Sequence, residues 1–239
     1  MKTNSPSAHL RPQRHRLTPV SLTTIERPRW VHFTLFGFVL IELLEIELFS
    51  SGFFHHLWDG IVVSMYAYAA LRISRSYKIF AGMMLLEGIP WVMGVLEFQL
   101  TAFNLQSVFW AMSHGLLAFV LTRSIFTFKK ISAVEIVDVV SLYIVAGIAF
   151  ANIYALILSV YPGALSHSTV PPGERLPFNL VLYYSFITQL TVGYGDIAPT
   201  HRLTRSLSII QALFGVLYVA ILISWHVALY SASHLKREG

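Results

Sequence analysis

The chain has 239 residues, of which 55 % are hydrophobic and only 12 % are Asp, Glu, Lys or Arg, and its mean hydropathy is +0.63. That balance excludes an ordinary soluble domain and points to an integral membrane protein with several helical crossings. There is no cysteine, which excludes disulfides, thiolate metal sites and thiol nucleophiles, and the net charge of +5 is read first as membrane topology rather than as a nucleic-acid surface.

Residues 1–29 are rich in Ser, Thr, Pro and Arg and have no sustained apolar period, so they read as a disordered basic cytoplasmic tail. From Trp30 onward the spacing predicts spans at about 30–50, 53–72, 77–98, 104–123, 133–161 and 203–231. A shorter amphipathic piece is expected at about 177–190. With the amino terminus inside, all Lys and Arg except Arg175, Arg202 and Arg205 fall in cytoplasmic segments, as the positive-inside rule requires for an even number of crossings. The fold class expected is an all-α membrane protein with six spans and one hairpin-like insertion. It divides into a four-helix domain at 30–123, a cytoplasmic linker at 124–132, a further membrane domain at 133–231 and a short cytoplasmic end at 232–239. A multi-pass protein of the cell membrane, with both termini in the cytoplasm, follows.

Between the fifth and sixth spans the sequence TVGYGD occupies 191–196. Non-helical backbone at membrane depth survives only where it is buried in protein or lines a watery cavity, because lipid cannot satisfy its N–H and C=O groups. Gly193 and Gly195 permit left-handed dihedrals, so the carbonyls of Thr191, Val192, Gly193 and Tyr194 can turn toward one axis instead of alternating as in a strand. Such a column of oxygens is a ligand set for a dehydrated monovalent cation, and the Thr191 hydroxyl adds one more oxygen at its inner end.

The arrangement of span, loop, TVGYGD and span closely resembles the pore of the potassium channel superfamily. The resemblance covers about 133–231 and implies a pore domain there, with a re-entrant pore helix and a filter loop. It implies that Thr191, Val192, Gly193, Tyr194 and Gly195 coordinate potassium in a selectivity filter and that Asp196 marks its outer mouth. It implies a pore helix at 177–189 braced by Tyr183, Tyr184 and Thr188. In the sixth span it implies a bend at Gly215, with Val219, Ile223, Val227 and Ser231 lining the cavity and the gate. One chain supplies one filter strand, so a homotetramer in the lipid bilayer is implied, with potassium as the only bound ion and no cofactor. Three positions depart from the family pattern: Leu190 precedes Thr191, Gln189 stands at a commonly apolar site, and Ile187 replaces a Glu found in some members.

Voltage-sensing relatives carry a basic ladder on the fourth span, whereas NLQSVFWAMSHGLLAFVLTR offers only Arg123 at its end. Weak or absent voltage dependence is therefore expected. Counting 1.5 Å per residue brings Glu42, Glu87 and His114 to a similar depth near mid-bilayer. They are either protonated ties between helices or a pH-sensing cluster. His55, His56 and Asp59 read as solvated loop residues rather than as metal ligands.

Two other functions are weighed against a passive potassium channel. A potassium uptake subunit resembles fused repeats with degenerate filters, and here a single intact filter argues against it. A membrane receptor or enzyme built on Glu42, Glu87 and His114 is the third reading, but no Ser-His-Asp, zinc or phosphate-binding signature supports catalysis. No nucleic-acid partner is expected.

Overall fold

The computed structural model describes residues 29–48, 53–95, 105–127 and 133–235. The basic tail, the linker core at 128–132 and the last four residues lie outside them. The order is α1 (Arg29–Leu48), α2 (Phe53–Ser74), α3 (Tyr77–Val95), α4 (Leu105–Thr127), α5 (Ala133–Val160), β1 (Leu165–His167), α6 (Phe178–Gln189), β2 (Ile197–Pro199) and α7 (Arg202–Leu235). Among the described residues, three stretches are long and apolar enough to cross a membrane: Leu105–Phe126, Val134–Val160 and Arg202–Leu222.

Helices α1 to α4 form one packed unit, and α5 lies against its α1 and α4 sides while also meeting α6 and α7. The joint between α2 and α3 is two residues long, because Arg75 takes a left-handed φ of 55° and its N–H closes on the Leu71 carbonyl at 2.8 Å. A left-handed residue satisfies the last carbonyls of a helix and reverses the chain. His55, His56 and Asp59 lie in the first turns of α2 and not in a loop; apolar neighbours on both sides let the helix start earlier than its polar groups suggest. The side chains of His55 and His56 are outside the described set.

Leu35, Val39, Tyr66, Met83, Leu117, Leu121, Val145 and Ile148 fill a core shared by the four-helix unit and α5. A second core, around Tyr154, Leu158, Leu165, Val181 and Tyr184, sits under α6. The α5 to α6 connection is tied to the segment after 196 by the antiparallel pair β1–β2, in which Ser166 faces Ala198. Thr204 Oγ1 also donates to the Ala164 carbonyl at 2.8 Å, and the Tyr161 and His201 rings stack at 4.3 Å. These ties hold the two ends of the segment at 168–196 in a fixed frame.

Candidate functional site

Pro177 opens α6 with an extended ψ of 153°. Proline suits the start of a helix because its missing N–H would have no partner there. The helix then packs between α5 and α7 at two glycines. A Cβ on Gly147 would lie 2.7 Å from the Phe186 ring, and one on Gly215 would run into the backbone carbonyl of Gln189. Both glycines therefore serve close approach. At Gly215 the helix passes through without a break, since α7 is continuous over Arg202–Leu235.

A polar network crosses the same contact. Gln189 Nε2 donates to the Tyr143 carbonyl at 2.7 Å, and the Tyr143 hydroxyl donates back to the Gln189 carbonyl at 3.1 Å. From α7, Gln211 Nε2 donates to Ser185 Oγ at 2.7 Å and to Gln189 Oε1 at 3.3 Å. Ser185 in turn donates to the Gly147 carbonyl at 2.7 Å. Gln189, an oddity in sequence, is thus the buried joint of three helices; satisfied buried polar groups specify a single arrangement. Ile187 is buried in the second core.

Where α6 ends, the backbone changes hand at alternate residues. Thr191 has φ 56°, Gly193 54° and Gly195 82°, while Val192 and Tyr194 between them are not in the left-handed region. For a β-branched threonine such a φ is a strained outlier. The amide hydrogens point backward: Thr191 N–H donates to the Thr188 carbonyl at 3.0 Å, and Val192 and Gly193 both donate to the Ile187 carbonyl, at 2.8 and 3.2 Å. Those acceptors are the free last-turn carbonyls that any helix leaves. Among the described residues, none of the carbonyls from Thr191 to Gly195 accepts a hydrogen bond. The first three N–H groups of the loop are therefore spent on α6, while its acceptors stay open.

Tyr183 and Tyr184, adjacent in sequence, go to different places. The Tyr183 hydroxyl donates to Asp196 Oδ2 at 2.8 Å, and the Ile197 N–H donates to Asp196 Oδ1 at 3.0 Å. That first bond, more than the second, holds the Asp196 carboxyl below the usual carboxylate range and pushes the Tyr183 phenol up. Tyr184 is buried, bonded to Ser208 Oγ at 2.6 Å and edge-on to Tyr154 at 5.2 Å. Tyr183 ties α6 to Asp196 at the end of the loop, and Tyr184 anchors α6 to α5 and α7. Thr188 acts through its carbonyl. Val219 is exposed on α7; Ile223, Val227 and Ser231 lie on the same helix, with their side chains outside the described set.

Residues 139–230 match the family model described as ion channel. The match supports an ion channel. It begins inside α5 and takes in α6, the 191–196 loop and most of α7, which is the stretch whose geometry has just been set out. The comparisons with curated proteins and with solved structures find no match. The described residues are thus mostly helical, with three stretches long and apolar enough to cross a membrane, and the match to the ion channel model falls in the second half of the chain.

Outside the matched domain, the structure brings two of the three expected mid-membrane groups into contact. His114 Nε2 lies 3.3 Å from Glu42 Oε1. Glu87 is fully buried beside them and accepts from the Ser113 hydroxyl, and Glu42 also accepts from Tyr66. Among the described residues, no group of three or more His, Asp or Glu is arranged to hold a metal ion. Sequence reasoning missed Tyr66 and Ser113. It also missed a second buried pair, His32 Nδ1 to Asp138 Oδ1 at 2.6 Å, with Ser124 Oγ donating to Asp138 Oδ2 at 3.1 Å. An aspartate inside the apolar run AVEIVDVV was the available signal.

Proposed function

We propose that the protein is a passive potassium-selective channel in which four copies surround one ion path, each contributing the carbonyls of Thr191, Val192, Gly193 and Tyr194 and the Thr191 hydroxyl. The reading rests on one observation above the others: the N–H groups of Thr191, Val192 and Gly193 turn back onto α6, and among the described residues the carbonyls from Thr191 to Gly195 have no donor. Oxygens so arranged replace the hydration shell of a monovalent cation. Asp196, held by Tyr183, marks the outer mouth. The six-span plan, with α1 to α4 as a four-helix domain lacking a basic ladder, belongs to the same proposal, as does weak or absent voltage dependence.

Assembly is supported by the inner helix. In Arg202–Leu222 only 11 % of the best apolar window is buried, against 56 % in Val134–Val160. Ile209, Ile210, Leu213, Val216 and Leu217 are exposed there. A second copy of this chain would cover part of that face, as a closed ring of identical subunits requires. Val219, Ile223, Val227 and Ser231 would line the inner path.

The deciding experiment is flux from liposomes carrying the purified chain, with its oligomeric state read by native mass spectrometry. Potassium and rubidium should pass and sodium should not, from a tetramer. A monomer, or a path that passes sodium as readily as potassium, would overturn the reading.

A further inference from the structure

Two neighbouring residues of α4 each hold a carboxyl group from another helix. Ser113 donates to Glu87 on α3, and His114 meets Glu42 on α1 at 3.3 Å. The other Glu42 oxygen accepts from the Tyr66 hydroxyl on α2. All four helices of the unit therefore converge on one polar site, in which Glu87 is 0 %, His114 1 % and Glu42 8 % exposed.

The acceptors reveal where the hydrogens are. His114 Nδ1 lies 2.8 Å from the Trp110 carbonyl, an oxygen that can only accept, so Nδ1 carries a hydrogen. A neutral imidazole of that form has a bare lone pair on Nε2. An ionised Glu42 cannot donate to a lone pair, so the contact at 3.3 Å requires one proton more. It sits on Nε2, giving imidazolium against carboxylate, or on Glu42, which then donates to Nε2. In both forms the pair holds a single proton and gives it up as a unit.

Losing that proton sets a carboxylate oxygen against a nitrogen lone pair and leaves one net negative charge in a buried site. Among the described residues no cation is paired with it, and the Tyr66 hydroxyl is the remaining donor to Glu42. Glu87, also buried, has no hydrogen-bond partner for its Oε2 among the described residues, so it adds demand for protons and supplies no cation. The titratable groups facing the pair are Tyr66 from α2 and Glu87 from α3. Asp138 on α5 is already taken by His32.

We propose that Glu42 and His114 form a proton-binding site whose occupancy fixes α1 against α4. Below the proton affinity of the pair the two helices are joined; as pH rises through it, the proton leaves for bulk water and the join is lost. The same helix α1 carries His32, bonded to Asp138 on α5 at 2.6 Å. Release of α1 is thereby transmitted to the first turns of the helix that leads into the ion channel domain. An effect on ion flow rests on the channel reading above; the proton site does not.

The full chain in lipid, with nitrogen-15 histidine, provides the test. The His114 signal is identified by its absence in His114→Gln, and spin labels at the exposed positions Leu40 and Met112 report the distance between α1 and α4. In the wild type the His114 signal and the distance should change together as pH rises. In Glu42→Gln the amide donates to Nε2 and its carbonyl still accepts from Tyr66, so the contact persists without an exchangeable proton. Both changes should vanish while Tm holds. Identical titration in wild type and Glu42→Gln, or a constant distance, overturns the proposal. In liposomes, a pH response of potassium flux should be lost in Glu42→Gln. Absence of flux at every pH sinks the channel reading alone, and the nitrogen signal still decides the proton site.

Discussion

Gly215 on α7 approaches the backbone carbonyl of Gln189 so closely that no side-chain atom fits between them. Helix α7 and the end of α6 thus meet backbone to backbone, and Gln211, one turn earlier, adds its hydrogen bonds to Ser185 and Gln189. Gly215→Ala puts a methyl group against a carbonyl that is itself fixed by Tyr143. Overpacking of this kind costs about 1–3 kcal/mol. A lowered Tm and a loss of potassium flux are expected, with Ala220→Gly, on the exposed side of the helix, as the comparison. An unchanged Tm in Gly215→Ala would remove the close-approach argument.

Gly193 separates folding from conduction. Its φ of 54° belongs to the left-handed region, yet a Cβ there meets nothing within 4 Å in the single chain. The substitution Gly193→Ala therefore carries only the backbone cost, about 1–2 kcal/mol. Thermal denaturation should show a small loss and native mass spectrometry an intact assembly, while flux disappears because the carbonyl no longer faces the ion path. Flux retained at the wild-type level would contradict the role given to this loop.

The sequence was most legible where structure is local. Pro177 and the glycines at 193 and 195 act on their own backbone, so the start of α6 and the turn of the filter follow from a few adjacent residues. Thr191 was different, because β-branched residues avoid a positive φ and only the pull of the Thr188 carbonyl on its own amide and of the Ile187 carbonyl on the next two explains it. A shared depth drew Glu42, Glu87 and His114 together, since helical rise is regular. Tyr66 and Ser113 gave no such sign, being ordinary residues in apolar helices. The His32 to Asp138 contact joins positions 106 apart, and no local pattern encodes which distant partner a buried carboxylate takes.

Acid should reach the filter mouth late. The Tyr183 hydroxyl bonds the ionised Asp196, so the carboxyl sits below its usual range. A depressed group contributes its share above the unfolded value, about 3.9, and loses it as pH falls through the lower folded value. The contact should then be constant through neutral and mildly acid solution. Tyr183→Phe removes the main cause of the shift, and carboxyl carbon NMR of Asp196 should show protonation moving to higher pH. Titration at the wild-type pH in that variant would show that Tyr183 does not hold Asp196.

The pair His32 and Asp138 offers a measure of how firmly α1 is fixed to α5. Both side chains are buried, and Asp138 accepts from His32 on one oxygen and from Ser124 on the other. Removing one partner strands the carboxylate, at a cost of about 3–5 kcal/mol, whereas replacing both by apolar groups of similar volume is often neutral. His32→Leu and Asp138→Leu should therefore each lower stability markedly. The double change His32→Leu with Asp138→Leu should recover most of the loss, leaving Ser124 to bond within its own helix. Chemical denaturation of the chain in detergent reads all three forms. If the double variant falls as far as the two single losses added together, the pair is not the unit described here, because the penalty would then come from lost packing at each site rather than from an unpaired buried charge.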